Sequence, residues 1–88
     1  MKRIEIIHLA QKKMRQRGIS EEMVFETLES PEQIVTGYGG REVRQKIFKV
    51  DDTEKLLRVI VEVKSDKIVV ITAYLTSKIK KYWRKNED

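Results

Sequence analysis

The chain has 88 residues, 40% hydrophobic and 38% charged, and its 19 Lys and Arg against 14 Asp and Glu leave a net charge of +5. That length supports one domain with one core and one site, expected to span residues 1–88. The absence of cysteine excludes disulfides, thiolate nucleophiles and thiolate metal sites. The apolar runs are too short to cross a bilayer, and the opening MKRIEIIHLAQKK breaks into charge before a signal core can form, so a cytoplasmic protein with no membrane partner is expected.

In chain order, Ile4 to Ile7 reads as a short strand or a lead-in. Ile7, Ala10 and Met14 then fall at i, i+3 and i+7, the stripe of an amphipathic helix that Gly18 stops. Leu9, Lys13 and Arg17 form a ridge along one edge of that stripe, and His8, Lys12 and Arg15 occupy the other side. Ser20 is an N-cap followed by Glu21 and Glu22 in the first turn, where the helix dipole favours negative charge. The second helix turns Val24, Phe25, Leu28 and Met23 inward and ends at Ser30-Pro31.

Beyond Pro31 the pattern changes to strands. Gln33 to Tyr38 and Arg41 to Val50 flank Gly39-Gly40 as a first hairpin. Asp51 to Lys55 reads as a polar loop into Leu56 to Lys64, where Val59, Val61 and Val63 alternate with Arg58, Ile60 and Glu62. The longest apolar run, Lys67 to Leu75, is a central strand. A turn at Ser65-Asp66 pairs Val63 with Ile68, Val61 with Val70 and Val59 with Thr72, which sets Tyr74 opposite Leu57. Ser77 to Asn86 is a short basic helix anchored by Ile79, Tyr82 and Trp83, or a frayed tail. The expected fold class is α+β, one domain of order α-α-β-β-β-β-α with a short C-terminal helix.

Charge is segregated along this chain. The first seventeen residues carry six basic groups and one acid, the second helix is acidic, and basic groups return at Arg41, Arg44, Lys46 and Lys49 and again from Lys78 to Lys85. Such a distribution suits a polyanion on one side of the molecule, and equally a solvated basic face.

LAQKKMRQRGIS at Leu9 to Ser20, Pro31 after the second helix, LLRVIVEV at Leu56 to Val63 and IVVITAY at Ile68 to Tyr74 resemble the small bacterial family labelled domain of unknown function 4258 (DUF4258). That family resembles, distantly, the RelE-type toxin ribonucleases and the wider barnase, EndoU and colicin ribonuclease group. The resemblance implies a RelE-like toxin fold, a pair of N-terminal helices packed on a four-stranded antiparallel sheet, with RNA as partner, an antitoxin-like protein as a further partner, and metal-independent RNA cleavage as an activity proposed for some members. Ala10, Met14, Arg17, Gly18, Ile19 and Ser20 match the family's first-helix pattern. Lys13 stands where arginine is common. Leu9 stands where a histidine is expected, and His8 lies one place earlier, turned by roughly 100° at about 3.6 residues per turn.

Cleavage of RNA without metal needs a base, an acid and cations around the developing charge. Lys13 and Arg17 are the candidate phosphate clamps, since the arginine fork can grip two oxygens. Tyr74 and Thr72 at the strand end are candidates to orient a phosphate or donate a proton, and His8 is the one side chain with an unperturbed pKa near neutrality. Arg15, Arg41, Arg44, Lys81 and Arg84 are candidate nucleic-acid contacts. Each has a plainer reading: Arg17 as a helix-end cation, Tyr74 as a rim residue, Tyr82 and Trp83 as tertiary anchors. One histidine and scattered carboxylates lack metal-ligand spacing, and Gly37, Gly39 and Gly40 precede a strand, so neither a metal site nor a phosphate loop, and no cofactor, is expected. The alternative to an RNA-acting protein is a non-catalytic module that takes a protein partner along its sheet edge or across its basic surface.

Overall fold

The two helix stripes and the alternation of the long strands decide the architecture, obtained as a computed structural model that describes residues 2–85, the side chain of Tyr38 excepted. Strand β1 (Arg3–Ile6) leads into α1 (His8–Gln16) and α2 (Glu21–Glu29). They are followed by β2 (Gln33–Thr36), β3 (Glu42–Val50), β4 (Thr53–Val63), β5 (Lys67–Thr76) and the single turn α3 (Ile79–Tyr82). The α+β class holds.

The sheet has five strands in the order β1-β5-β4-β3-β2, with β1 parallel to β5 and the other pairs antiparallel. The expected four-stranded antiparallel sheet is therefore corrected: Ile4 and Ile6 are apolar on one face and pack on the core, so the lead-in is itself an edge strand. A second correction falls at Asp51 to Lys55. Asp51 and Asp52 both adopt positive φ, 50° and 61°, making a tight hairpin turn, and the ladder resumes at once with Val50 opposite Thr53.

Both helices close as their sequences direct. Gly18, at φ +68°, lets its N–H donate to the Arg15 carbonyl at 3.4 Å while the Ile19 N–H donates to the Met14 carbonyl at 2.9 Å. These two bonds satisfy the last carbonyls of α1 and turn Ile19 into the core. The Ser20 hydroxyl accepts from the Met23 N–H at 3.1 Å, a cap that stabilises α2 by about 1 kcal/mol. At the other end of α2, β3 supplies the donors: Arg44 Nη1 reaches the Leu28 carbonyl and Lys46 Nζ the Ser30 carbonyl, each at 2.9 Å.

One core lies between the helices and one face of the sheet. Ala10, Met14, Ile19, Val24 and Leu28 pack on Leu57, Val59, Val61, Ile68, Val70 and Ala73. The β4-β5 ladder begins in the expected register, Val63 with Ile68 and Val61 with Val70, and then shifts. A bulge at Ile71 makes Ile60 the partner of Thr72, Val59 of Ala73, Arg58 of Tyr74 and Leu57 of Leu75. One extra residue reverses every side chain beyond it. Ala73 and Leu75 thus meet the helices, while Thr72 and Tyr74 emerge on the opposite face. The expected pairings of Val59 with Thr72 and Leu57 with Tyr74 are corrected by that one residue.

The C-terminal helix is shorter than expected. Only Ile79–Tyr82 is helical, and Trp83 is already extended, with φ −73° and ψ 124°; Asn86, the last residue of the expected helix, lies outside the described residues.

Candidate functional site

The face of the sheet turned away from α1 and α2 carries one row of polar side chains across four strands. Register places Gln33 beside Gln45, Gln45 beside Arg58, and Arg58 beside Tyr74. Side chains at paired positions share a face and stand close together, and here they join into one chain. Gln45 Nε2 donates to Gln33 Oε1 at 2.8 Å, Arg58 Nε donates to Gln45 Oε1 at 2.9 Å, and Arg58 Nη1 donates to the Tyr74 hydroxyl at 2.5 Å.

Arg58 is the centre of this row. It is only 9% exposed, and among the described residues no carboxylate pairs with it. Its charge is balanced by neutral groups alone. The guanidinium carbon lies 4.2 Å from the centre of the Tyr82 ring and 5.7 Å from that of Tyr74, within the range of cation–π attraction. The two rings meet edge to face at 6.2 Å. Nη2 makes no hydrogen bond among the described residues, where no fully enclosed polar side-chain atom lacks a partner.

The C-terminal segment crosses this face. Gln45 Nε2 also donates to the Tyr82 carbonyl at 3.1 Å, Gln33 Nε2 donates to the Arg84 carbonyl at 2.6 Å, and the Arg84 N–H donates to Gln33 Oε1 at 3.0 Å. The neighbouring Tyr74 hydroxyl, with Lys81 and Arg58 close by, holds the Tyr82 phenol below its ordinary value against the opposing effect of burial. Past Gln33 the segment borders a groove of about 1430 Å³ along the outer edge of β2, lined by Ile34, Thr36, Trp83, Arg84 and Lys85 among others.

The sequence candidates divide between the two sides of the sheet. Tyr74 and Thr72 lie on the Arg58 face, Tyr74 in the row and Thr72 opposite Ile60. His8, at the start of α1, and Arg15 are exposed, and Lys13 is half-buried. Arg17 follows α1, where its Nη1 donates to the Ala73 carbonyl at 2.9 Å. That carbonyl belongs to the residue between Thr72 and Tyr74, but the strand itself separates Arg17 from their side chains. Arg44 is held by Glu42 at 2.7 Å and by the end of α2, and Arg41 pairs with Glu62 at 3.3 Å. Lys81 stands 5.2 Å from the Tyr82 ring, and the backbone of Arg84 is tied to Gln33. Sequence reasoning missed Arg58, Gln45 and Gln33. The available signal was that each sits on the outward phase of its strand; the bulge hid their alignment with Tyr74.

Among the described residues no three His, Asp or Glu side chains gather as a metal site, and no helix is long and apolar enough to cross a membrane. A family model described as domain of unknown function (DUF4258) matches residues 10–75, three quarters of the chain, and the chain belongs to that family. No curated protein and no solved structure matches it.

Proposed function

We propose that this member of the DUF4258 family is a small RNA-interacting protein whose RNA site is the Arg58 face, in a fold akin to that of the RelE-type toxins. One observation carries the reading: among the described residues the buried Arg58 has no carboxylate partner and leaves one nitrogen without a hydrogen bond. Burying a charge without a counter-ion costs stability, and such a site is completed by an anion from outside. RNA suits the surroundings. Lys81, Arg84 and Lys85 border the face with no acid among Lys78 to Lys85, a setting that draws a polyanionic backbone.

The same groups suit metal-independent cleavage. Attack of a 2′-hydroxyl on the adjacent phosphate builds negative charge that Arg58 would face, while Tyr74, already a hydrogen-bond acceptor from Arg58, keeps its own proton to donate. Lys13, Arg17 and His8, on the helix side, act in this reading as outlying contacts to the RNA backbone. A second reading is favoured by the edge strand β2, which presents Ile34 at 55% exposure: a non-catalytic module that takes an antitoxin-like chain along that edge.

The test is binding and cleavage of end-labelled RNA in EDTA, by the wild type and Arg58→Ala. RNA affinity is expected to fall by at least about tenfold in the variant and to weaken steeply with salt. Cleavage by the wild type alone makes the protein an endoribonuclease. Salt-insensitive binding, or binding unchanged in a folded Arg58→Ala protein, removes the RNA reading and leaves the edge-strand module.

A further inference from the structure

We propose that residues 82–84 form a strap that occupies the Arg58 site as an internal stand-in for the ligand, so that a polyanion gains Arg58 as the strap lifts. The inference takes its natural ligand from the RNA reading, but its geometry stands apart from it.

Three features make residues 82–84 resemble a bound guest more than a part of the fold. They are held by side-chain amides instead of a strand ladder: Gln45 takes the Tyr82 carbonyl, and Gln33 takes both the N–H and the carbonyl of Arg84. Alternate residues are addressed, as in an extended peptide lying in a cleft. The single turn α3, which runs into them at Tyr82, has no side-chain cap and no buried residue, so these bonds and the contacts of the Tyr82 ring with Arg58 and Tyr74 are what keep the segment down.

What the strap places in the site is also informative. The Tyr82 ring lies on the guanidinium at 4.2 Å, the position a nucleobase takes on an arginine plane. Its carbonyl uses a Gln45 donor. Yet the strap is electrostatically mismatched to its seat. Lys78 to Lys85 carries five cations and no acid, and it covers a buried cation that has no counter-ion among the described residues. Like charges held together raise the energy of the closed state. A polyanion relieves this twice, by reaching Arg58 and by pairing with the lifted lysines. Strap and ligand therefore exclude each other at Arg58 while the strap's own cations remain available to hold the ligand.

Trp83 is the only tryptophan in the chain and sits within the strap, so its emission reports the strap directly. The experiment titrates the full chain with inorganic tripolyphosphate and, separately, with a short single-stranded oligouridylate, and follows Trp83 emission and its quenching by acrylamide. Gln33→Ala removes the Arg84 tether, and Tyr82→Leu removes the ring from Arg58. Acrylamide quenching of wild-type Trp83 is expected to rise on saturation. Gln33→Ala is expected to bind tripolyphosphate severalfold more tightly, a gain lost when Arg58→Ala is added; Tyr82→Leu repeats the gain if Gln33→Ala does not fold. Trp83 that does not respond to saturating ligand, or opened variants that bind tripolyphosphate no better than the wild type, overturns the strap. Tighter tripolyphosphate binding with no oligouridylate binding keeps the strap and removes RNA as its ligand. Oligouridylate binding that depends on Arg58 but leaves Trp83 unchanged does the reverse.

Discussion

The two faces of one sheet are built by opposite rules. Toward α1 and α2 the strands present Leu57, Val59, Val61, Val70 and Ala73, each at most 1% exposed and joined by apolar packing. Toward the strap they present Gln33, Gln45, Arg58 and Tyr74, joined by directed hydrogen bonds. The first face stabilises the fold through area removed from water, about 1.5–3 kcal/mol for each large side chain. The second also buries Val43 and Leu56, contributes little net energy per hydrogen bond, and holds a charge that has no carboxylate partner among the described residues. Burial is common to both, so burial alone does not distinguish the two faces; the chemistry of what is buried does.

Substitutions that load one face and spare the other test this division. The largest expected effect is Leu57→Ala, which leaves a cavity under the helices and costs about 2–5 kcal/mol in urea unfolding. Ligand affinity per folded molecule should stay unchanged. Arg58→Ala should cost less, about 1–3 kcal/mol, because the fully buried Gln45 loses the donor to its Oε1, while abolishing anion binding. Gly37→Ala tests the turn between β2 and β3. An added Cβ would lie 2.6 Å from Val43 Cγ2, and the strain is expected to cost about 1–3 kcal/mol without touching the helix core.

The smallest effect belongs to the sheet's rim. The hydrogen bond and charge of Lys67 hold the Glu5 carboxyl below its ordinary value of 4.5, so the folded state favours the ionised acid. The resulting stability is fully present above pH 4.5 and is lost as pH falls through the lowered folded value. Lys67→Ala should therefore flatten the acid limb of stability against pH. An acid limb identical to the wild type's would mean that the pair contributes nothing.

Local signals were legible where neighbours in sequence decide the outcome. Ser20 caps α2, Gly18 closes α1, and Ser65-Asp66 turns the β4-β5 hairpin, as their side chains and backbone preferences dictate. The errors share a different cause. Ile4 and Ile6 become a strand only because β5 offers a free edge from the far end of the chain. Ile71 bulges because the space beneath α1 admits Ala73, fully buried, in place of a polar Thr72. No residue beside Ile71 announces that requirement. Arg58 was readable as an outward residue, but its burial depends on α3 and Tyr82, more than twenty positions later. The site candidates on α1 followed the family pattern. The Arg58 row appears only once four strands are aligned.

The bulge has one more implication, best put in terms of reading phase. Before Ile71 the even-numbered residues of β5 belong to the core, and after it the odd-numbered ones do. The strand is thus two messages written half a period apart, with Ile71 as the spacer between them. Removing Ile71 itself would set Val70 directly before Thr72 and leave Ile68, Val70, Ala73 and Leu75 on a single uninterrupted phase. Removing Ala73 instead would carry Tyr74 to the helix side and bring Leu75 out beside Arg58. Along this strand, tolerance to a one-residue loss is therefore concentrated at the spacer, however apolar its neighbours are.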